Sequence, residues 1–172
     1  NLATAHSNLG SILSDLGQLK EAELSTRKAI EIKPDYADAH LNLGNILKDL
    51  GKLEEAELST RKAIEINPNL AMAHSNLGIM LHGLGKLDEA ISSYKRAIEL
   101  NSTFAEAYYG LSIIKLLKGD YKSGLDNYEF RFKTKKPALI HGKTELKKID
   151  NNEQPKGAQL LVISEQGLGD TL

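Results

Sequence analysis

Apolar positions along the chain fall at helical spacing in short blocks, interrupted by glycine and proline at regular intervals. In the first block Ala5, Leu9, Ile12, Leu13 and Leu16 recur three and four residues apart, which places them along one side of a helix. Gly17 stops that pattern, and Leu19, Ala22, Ile30 and Ile32 mark a second amphipathic helix before Pro34 ends it. The same alternation then starts again. "EAELSTRKAIEI" occupies Glu21 to Ile32 and returns unchanged at Glu55 to Ile66, and "LDEAISSYKRAIEL" at Leu87 to Leu100 is a looser copy in the same frame, each offset by 34 residues. His6, His40 and His74 keep that spacing, as do Gly10, Gly44 and Gly78, and Gly17, Gly51, Gly85 and Gly119. A fixed period of this length decides the architecture ahead of any local propensity. A lone helix pair cannot bury its apolar face, so stacked neighbours must supply the cover. The expected fold is all-α: a right-handed superhelix of antiparallel helix pairs whose first helices line a concave face.

Small residues recur at Gly10 and Ala22 and at their equivalents Gly44, Ala56, Gly78 and Ala90, where two helices must approach closely. Together with the Leu-Gly pair, the later Ala and the Pro at the 34-residue period, this resembles the tetratricopeptide repeat. The resemblance spans about Ala3 to Lys136 and divides into three full repeats at residues 3–36, 37–70 and 71–104 and a degenerate fourth at 105–136, within an array at 1–136. Departures are visible. His stands where the first helix of the family carries Trp, Thr26 and Thr60 replace an aromatic that returns as Tyr94 and Tyr128, and the fourth copy has Ser112 for Gly, Gly124 for Ala and Arg131 for the second Ala. "NLATAH" at Asn1 to His6 matches "NLAMAH" at Asn69 to His74, so the array is expected to continue upstream in a longer parent.

Asn8, Asn42 and Asn76 form a ladder at one position of successive first helices. Asparagine is a mediocre residue inside a helix, so its repetition needs a reason. Two readings stand side by side. An amide that donates and accepts can hold the backbone of an extended peptide without reading its side chains; alternatively the amides bond one another or water on a solvated face. "AHSNLG" at Ala5 to Gly10 and Ala73 to Gly78 is similar to repeats of the O-linked N-acetylglucosamine transferases, and that resemblance implies a groove at Asn8, Asn42 and Asn76 that holds peptide backbones. Gly110 takes that place in the fourth copy.

Charge and composition then narrow the functions. Lys and Arg number 22 against 23 Asp and Glu, a net charge of -1, which gives no global attraction to nucleic acid or to an anionic membrane. No apolar run approaches the roughly 20 residues that span a bilayer. The absence of cysteine removes disulfides and thiol chemistry and fits a reducing, cytoplasmic setting. Histidines one repeat apart are expected ~8 to 10 Å from each other, the packing distance of helices, whereas zinc needs nitrogen ligands at about 2 Å. His6, His40 and His74 are therefore expected as packed interhelix residues, and no metal, cofactor or catalytic constellation is expected.

The remainder of the chain reads differently. "RFKTKKPALIHGKTELKK" carries seven Lys or Arg against one Glu, lacks the interleaved aromatics of a nucleic-acid surface and is expected to be a basic, polar linker over residues 137–158. Leu160 to Ile163 form an all-apolar, strand-like run, followed by Gly167, Gly169 and a helix start at Asp170. "YEFRF" at Tyr128 to Phe132 followed by "EQGLGDT" resembles the passage from such arrays into heptosyltransferase-like glycosyltransferases. By that resemblance residues 159–172 open a truncated transferase domain, Gly167 and Gly169 approach phosphate or substrate, and Asp170 matches the family's acidic base. The fragment itself is expected to be no enzyme, and to self-associate through Leu160 to Ile163. Two functions follow: an interaction scaffold binding a peptide or partner protein in the groove, or the acceptor-selecting region of a bacterial glycosyltransferase.

Overall fold

The computed structural model describes residues 2–134, and the strand-like run, Gly167, Gly169 and Asp170 lie outside them. Among the described residues the chain forms eight α-helices and no strand: α1 (Leu2–Asp15), α2 (Leu19–Ile32), α3 (Ala37–Asp49), α4 (Leu53–Ile66), α5 (Ala71–Gly83), α6 (Leu87–Leu100), α7 (Ala105–Leu117) and α8 (Tyr121–Tyr128). They pack as four successive hairpins, α1 on α2 through α7 on α8, and each hairpin leans on the next through its second helix. The first helices also touch in series, α1 to α3 to α5 to α7, and so form one continuous face. This is the all-α superhelix of helix pairs that the 34-residue period predicts.

Every hairpin turn is made the same way. Gly17, Gly51, Gly85 and Gly119 have φ between +74° and +80°, a left-handed conformation that costs other residues about 1–2 kcal/mol. It lets two amides fold back on the helix end: Gly51 N–H donates to the Lys48 carbonyl at 2.9 Å and Lys52 N–H to that of Leu47 at 2.9 Å. That pair of bonds satisfies carbonyls the helix would otherwise leave open.

Packing inside each hairpin rests on small residues. Ala22, Ala29, Ala56, Ala63, Ala90 and Ala97 are fully buried at the crossings of second helices with first. Gly10 and Gly44 leave room for the Thr26 and Thr60 hydroxyls, and a Cβ on Gly78 would come within 2.7 Å of the Tyr94 ring. Between hairpins the apolar faces interlock, as where Leu43, Leu47, Ala56 and Met80 form one cluster with Ile30 against it.

The two ends depart from this regularity. Leu9 is 46% exposed, while its equivalents Leu43, Leu77 and Leu111 are 5%, 4% and 4% exposed, because those three pack against a preceding hairpin. At the other end Arg131 stands where Ala29, Ala63 and Ala97 are buried. A guanidinium does not fit that crossing, and the helix tightens into a 3-10 turn over Glu129–Phe132. Arg131 lies over the rings of Tyr128 and Phe132, 4.3 and 3.9 Å from their centroids, and Phe130 stacks on Tyr108 at 4.2 Å.

Along the second helices, charged side chains bridge successive units. Lys52 meets Glu23 at 3.1 Å, Lys86 meets Glu57 at 2.8 Å and Arg61 meets Glu89 at 2.7 Å. Burial of Glu57 opposes its charge, but Lys86 and Arg61 outweigh that and hold its carboxyl below the usual glutamate range.

Candidate functional site: the concave groove

The first helices each turn one row of residues toward the concave side. On α5 that row is Met72, Asn76 and Ile79, spaced four and three residues apart so that they fall on one face. On α3 Asn42 and Asn45 hold the places of Asn76 and Ile79, on α1 Ser11 holds that of Ile79, and Asp49 and Asp15 follow four residues later on the same face. Together with Ser75, Phe104 and Glu106 they line a groove of about 360 Å³ that crosses all four first-helix elements.

Two of the three ladder asparagines belong to it. Asn42 and Asn76 are half-buried and line the groove, whereas Asn8 is exposed on α1 and is not among the lining residues. Both are fixed by their neighbours. Asn42 Nδ2 donates to Ser7 Oγ at 3.2 Å, and Asn76 Nδ2 donates to Asn45 Oδ1 at 2.7 Å. Each amide has two N–H donors and one carbonyl acceptor. One donor is spent on the adjacent helix, which orients the amide and leaves capacity to donate and accept within the groove.

The ladder stops at Gly110 for a steric reason. Tyr94 reaches from α6 across its own hairpin to the next, and a Cβ on Gly110 would lie 2.6 Å from its Cε1 and 2.7 Å from its hydroxyl. An asparagine there cannot coexist with the ring. In the two preceding units Thr26 and Thr60 hold the place of Tyr94, and the units that follow them carry Asn42 and Asn76. The threonines that break the aromatic pattern and the asparagines that form the ladder are thus two sides of one packing arrangement. Loss of the fourth rung also strands a hydroxyl. Ser7 accepts from Asn42, whereas two units on the place of Asn42 is taken by Gly110, and the equivalent Ser75 has no hydrogen-bond partner although it is only 1% exposed.

Two of the three repeat histidines are tethers. His40 and His74 are half-buried, and their Nε2 atoms donate to the carbonyls of Pro34 and Pro68 at 2.9 and 3.0 Å, pinning the turn before each unit. No group of three or more metal-ligating side chains occurs among the described residues. Asn45, Ser75, Met72 and Ile79 escape a search for recurring residues, because their equivalents differ from unit to unit: Ser11, Asn45 and Ile79 share one position, and Ser7, Leu41 and Ser75 another. The helical spacing from Asn42 and Asn76 is the signal that finds them.

Hairpins stacked at a fixed period, with a groove lined by their first helices, define a helical-repeat solenoid. Tetratricopeptide repeat models match residues 37–70, residues 60–92, and residues 10–51 with 80–119, so that together they run from 10 to 119. The chain belongs to the tetratricopeptide repeat family. No curated protein sequence matches it. Among solved structures it is similar to MamA (24% identity, TM-score 0.70, covering 76% of each chain). It is also similar to the first tetratricopeptide domain of Spaghetti (RPAP3) bound to the HSP90 peptide SRMEEVD, at 25% identity and TM-score 0.67, covering 69% of this chain and 94% of that one. A third likeness is to the O-GlcNAc transferase of Thermobaculum terrenum, at 25% identity and TM-score 0.64, covering 66% of this chain and 22% of that one. No helix among the described residues is long and apolar enough to cross a membrane.

Proposed function

We propose that the chain is a protein-interaction scaffold that holds an extended peptide in the groove between its first helices, with Asn42 and Asn76 gripping the peptide backbone. The observation that carries this reading is the pair of half-buried amides, each oriented by a neighbouring helix and each lining the groove. An extended peptide presents N–H and C=O groups that must be paired when water is displaced, and an oriented amide serves both kinds. Asn8 extends the row toward the outer end of the groove. The peptide bound by the RPAP3 domain supports a peptide as the class of partner. The chain performs no catalytic step of its own in this reading, and a cytoplasmic setting belongs to the same proposal.

The test is fluorescence anisotropy with labelled dodecapeptides selected from a degenerate library. Asn42→Ala combined with Asn76→Ala is expected to weaken binding about tenfold or more, on the order of 1 kcal/mol for each bond lost, with helicity unchanged by circular dichroism. Unaltered affinity for every selected peptide would overturn the role given to these amides.

The likeness to the O-GlcNAc transferase favours a second reading, in which the groove selects acceptors for a glycosyltransferase. Gly167, Gly169 and Asp170 carry that proposal at the sequence level. A selected peptide that a full-length parent glycosylates, and that loses glycosylation when Asn42 and Asn76 are replaced, would support it.

A further inference from the structure

The groove has a sign. Its lining includes three carboxylates, Asp15, Asp49 and Glu106, and one ammonium, Lys48, which is itself bonded to Asp49 at 3.0 Å. Asp15 has no ion-pair partner among the described residues. The rest of the first helices repeats the bias: α1, α3, α5 and α7 together carry Asp15, Asp38, Asp49 and Glu106 against Lys48 and Lys115. Asp15 and Asp49 occupy the same position in successive units, and each is the last residue of its helix. The C-terminal carbonyls of a helix already present partial negative charge. Placing a carboxylate there works against the helix, yet it adds to a negative potential at that end of the groove. Beside these charges α5 offers apolar surface, Met72 and Ile79, both more than 40% exposed. Ser75 supplies an independent sign of a ligand: a hydroxyl on the groove lining, 1% exposed and without a hydrogen-bond partner. A buried polar group left so is costly until something bonds it.

Resting on the reading of the groove as a peptide site, we infer that its partner is an extended protein segment with a lysine or arginine, whose charge sits at the Asp15 and Asp49 end, and an apolar side chain set against Met72 and Ile79. Acidic segments are disfavoured, because a carboxylate brought to this end meets carboxylates and helix carbonyls.

The experiment uses the whole chain and a blocked, fluorescein-labelled dodecapeptide taken as the best binder from a positional-scanning library, with variants carrying Lys, Gln or Glu at its charged position. The Lys form is expected to bind about tenfold or more tighter than the Glu form at low salt, and the gap narrows in about 0.5 M NaCl as screening shortens the reach of the charges. Asp15→Asn with Asp49→Asn is expected to reduce the preference to about threefold or less while the Gln form keeps its affinity. Equal binding of the three forms, a preference for Glu, or a Lys preference that survives loss of both aspartates would overturn the inference and leave the peptide groove standing. If no library peptide of any charge binds, the groove reading itself falls, and this inference with it.

Discussion

At the scale of single residues, the ladder depends on what lies behind it. Tyr94 fills the space in front of Gly78 and extends to Gly110, while Thr60 makes do with the hollow at Gly44 and donates its hydroxyl to Met80 Sδ at 3.3 Å. A tyrosine at 60 would run into Asn76 as Tyr94 would run into any side chain at 110. Thr60→Tyr is therefore expected to cost about 1–3 kcal/mol through overpacking. Asn76→Gly alone also destabilises, since glycine is a poor helix residue, by about 1 kcal/mol. The double variant should lose less than the two sums, and a positive coupling in a urea-denaturation cycle is the readout. Simple additivity would show that the ring and the amide do not compete for one space. The identities of Thr60 and Asn76 are plain in the sequence, but their connection is not. It depends on how far a side chain reaches across a unit boundary, which spacing alone does not reveal.

At the scale of elements, the helices and their turns follow almost directly from the pattern. Gly17 and its equivalents fall where a left-handed residue is required, and α2 starts at Leu19 and ends at Ile32 as the amphipathic blocks indicate. The repeat treats all units alike, however, and the structure does not. Ile12 and Ile46 are equivalent, yet Ile12 is on the open face of α1 and Ile46 is sealed between hairpins. Ile46→Ala is expected to cost about 2–4 kcal/mol and Ile12→Ala less than about 1 kcal/mol, measured by thermal or urea unfolding. Equal costs would mean that α1 is covered in solution. The histidines show the same limit: their repetition marks a structural position, but the bonds from His40 and His74 to proline carbonyls depend on the path of the turn.

At the scale of the molecule, the two rows of helices divide the work. The second helices carry the ion pairs that link unit to unit, from Glu23 and Lys52 through Glu57 and Lys86. The first helices carry few charges, and Asp15, Lys48, Asp49 and Glu106 among them line the groove. The period made the superhelix legible, and the repeated asparagines pointed to its concave side. The extent and sign of the groove were not legible, because Asp15, Asn45, Ser75 and Glu106 become neighbours only when the hairpins stack. The most direct test is an NMR titration of the isotope-labelled chain with the selected dodecapeptide. The account predicts that the side-chain amide signals of Asn42 and Asn76 shift most, together with backbone signals of α3 and α5. Shifts confined to the second helices, around the exposed Leu24 and Leu58, would contradict it.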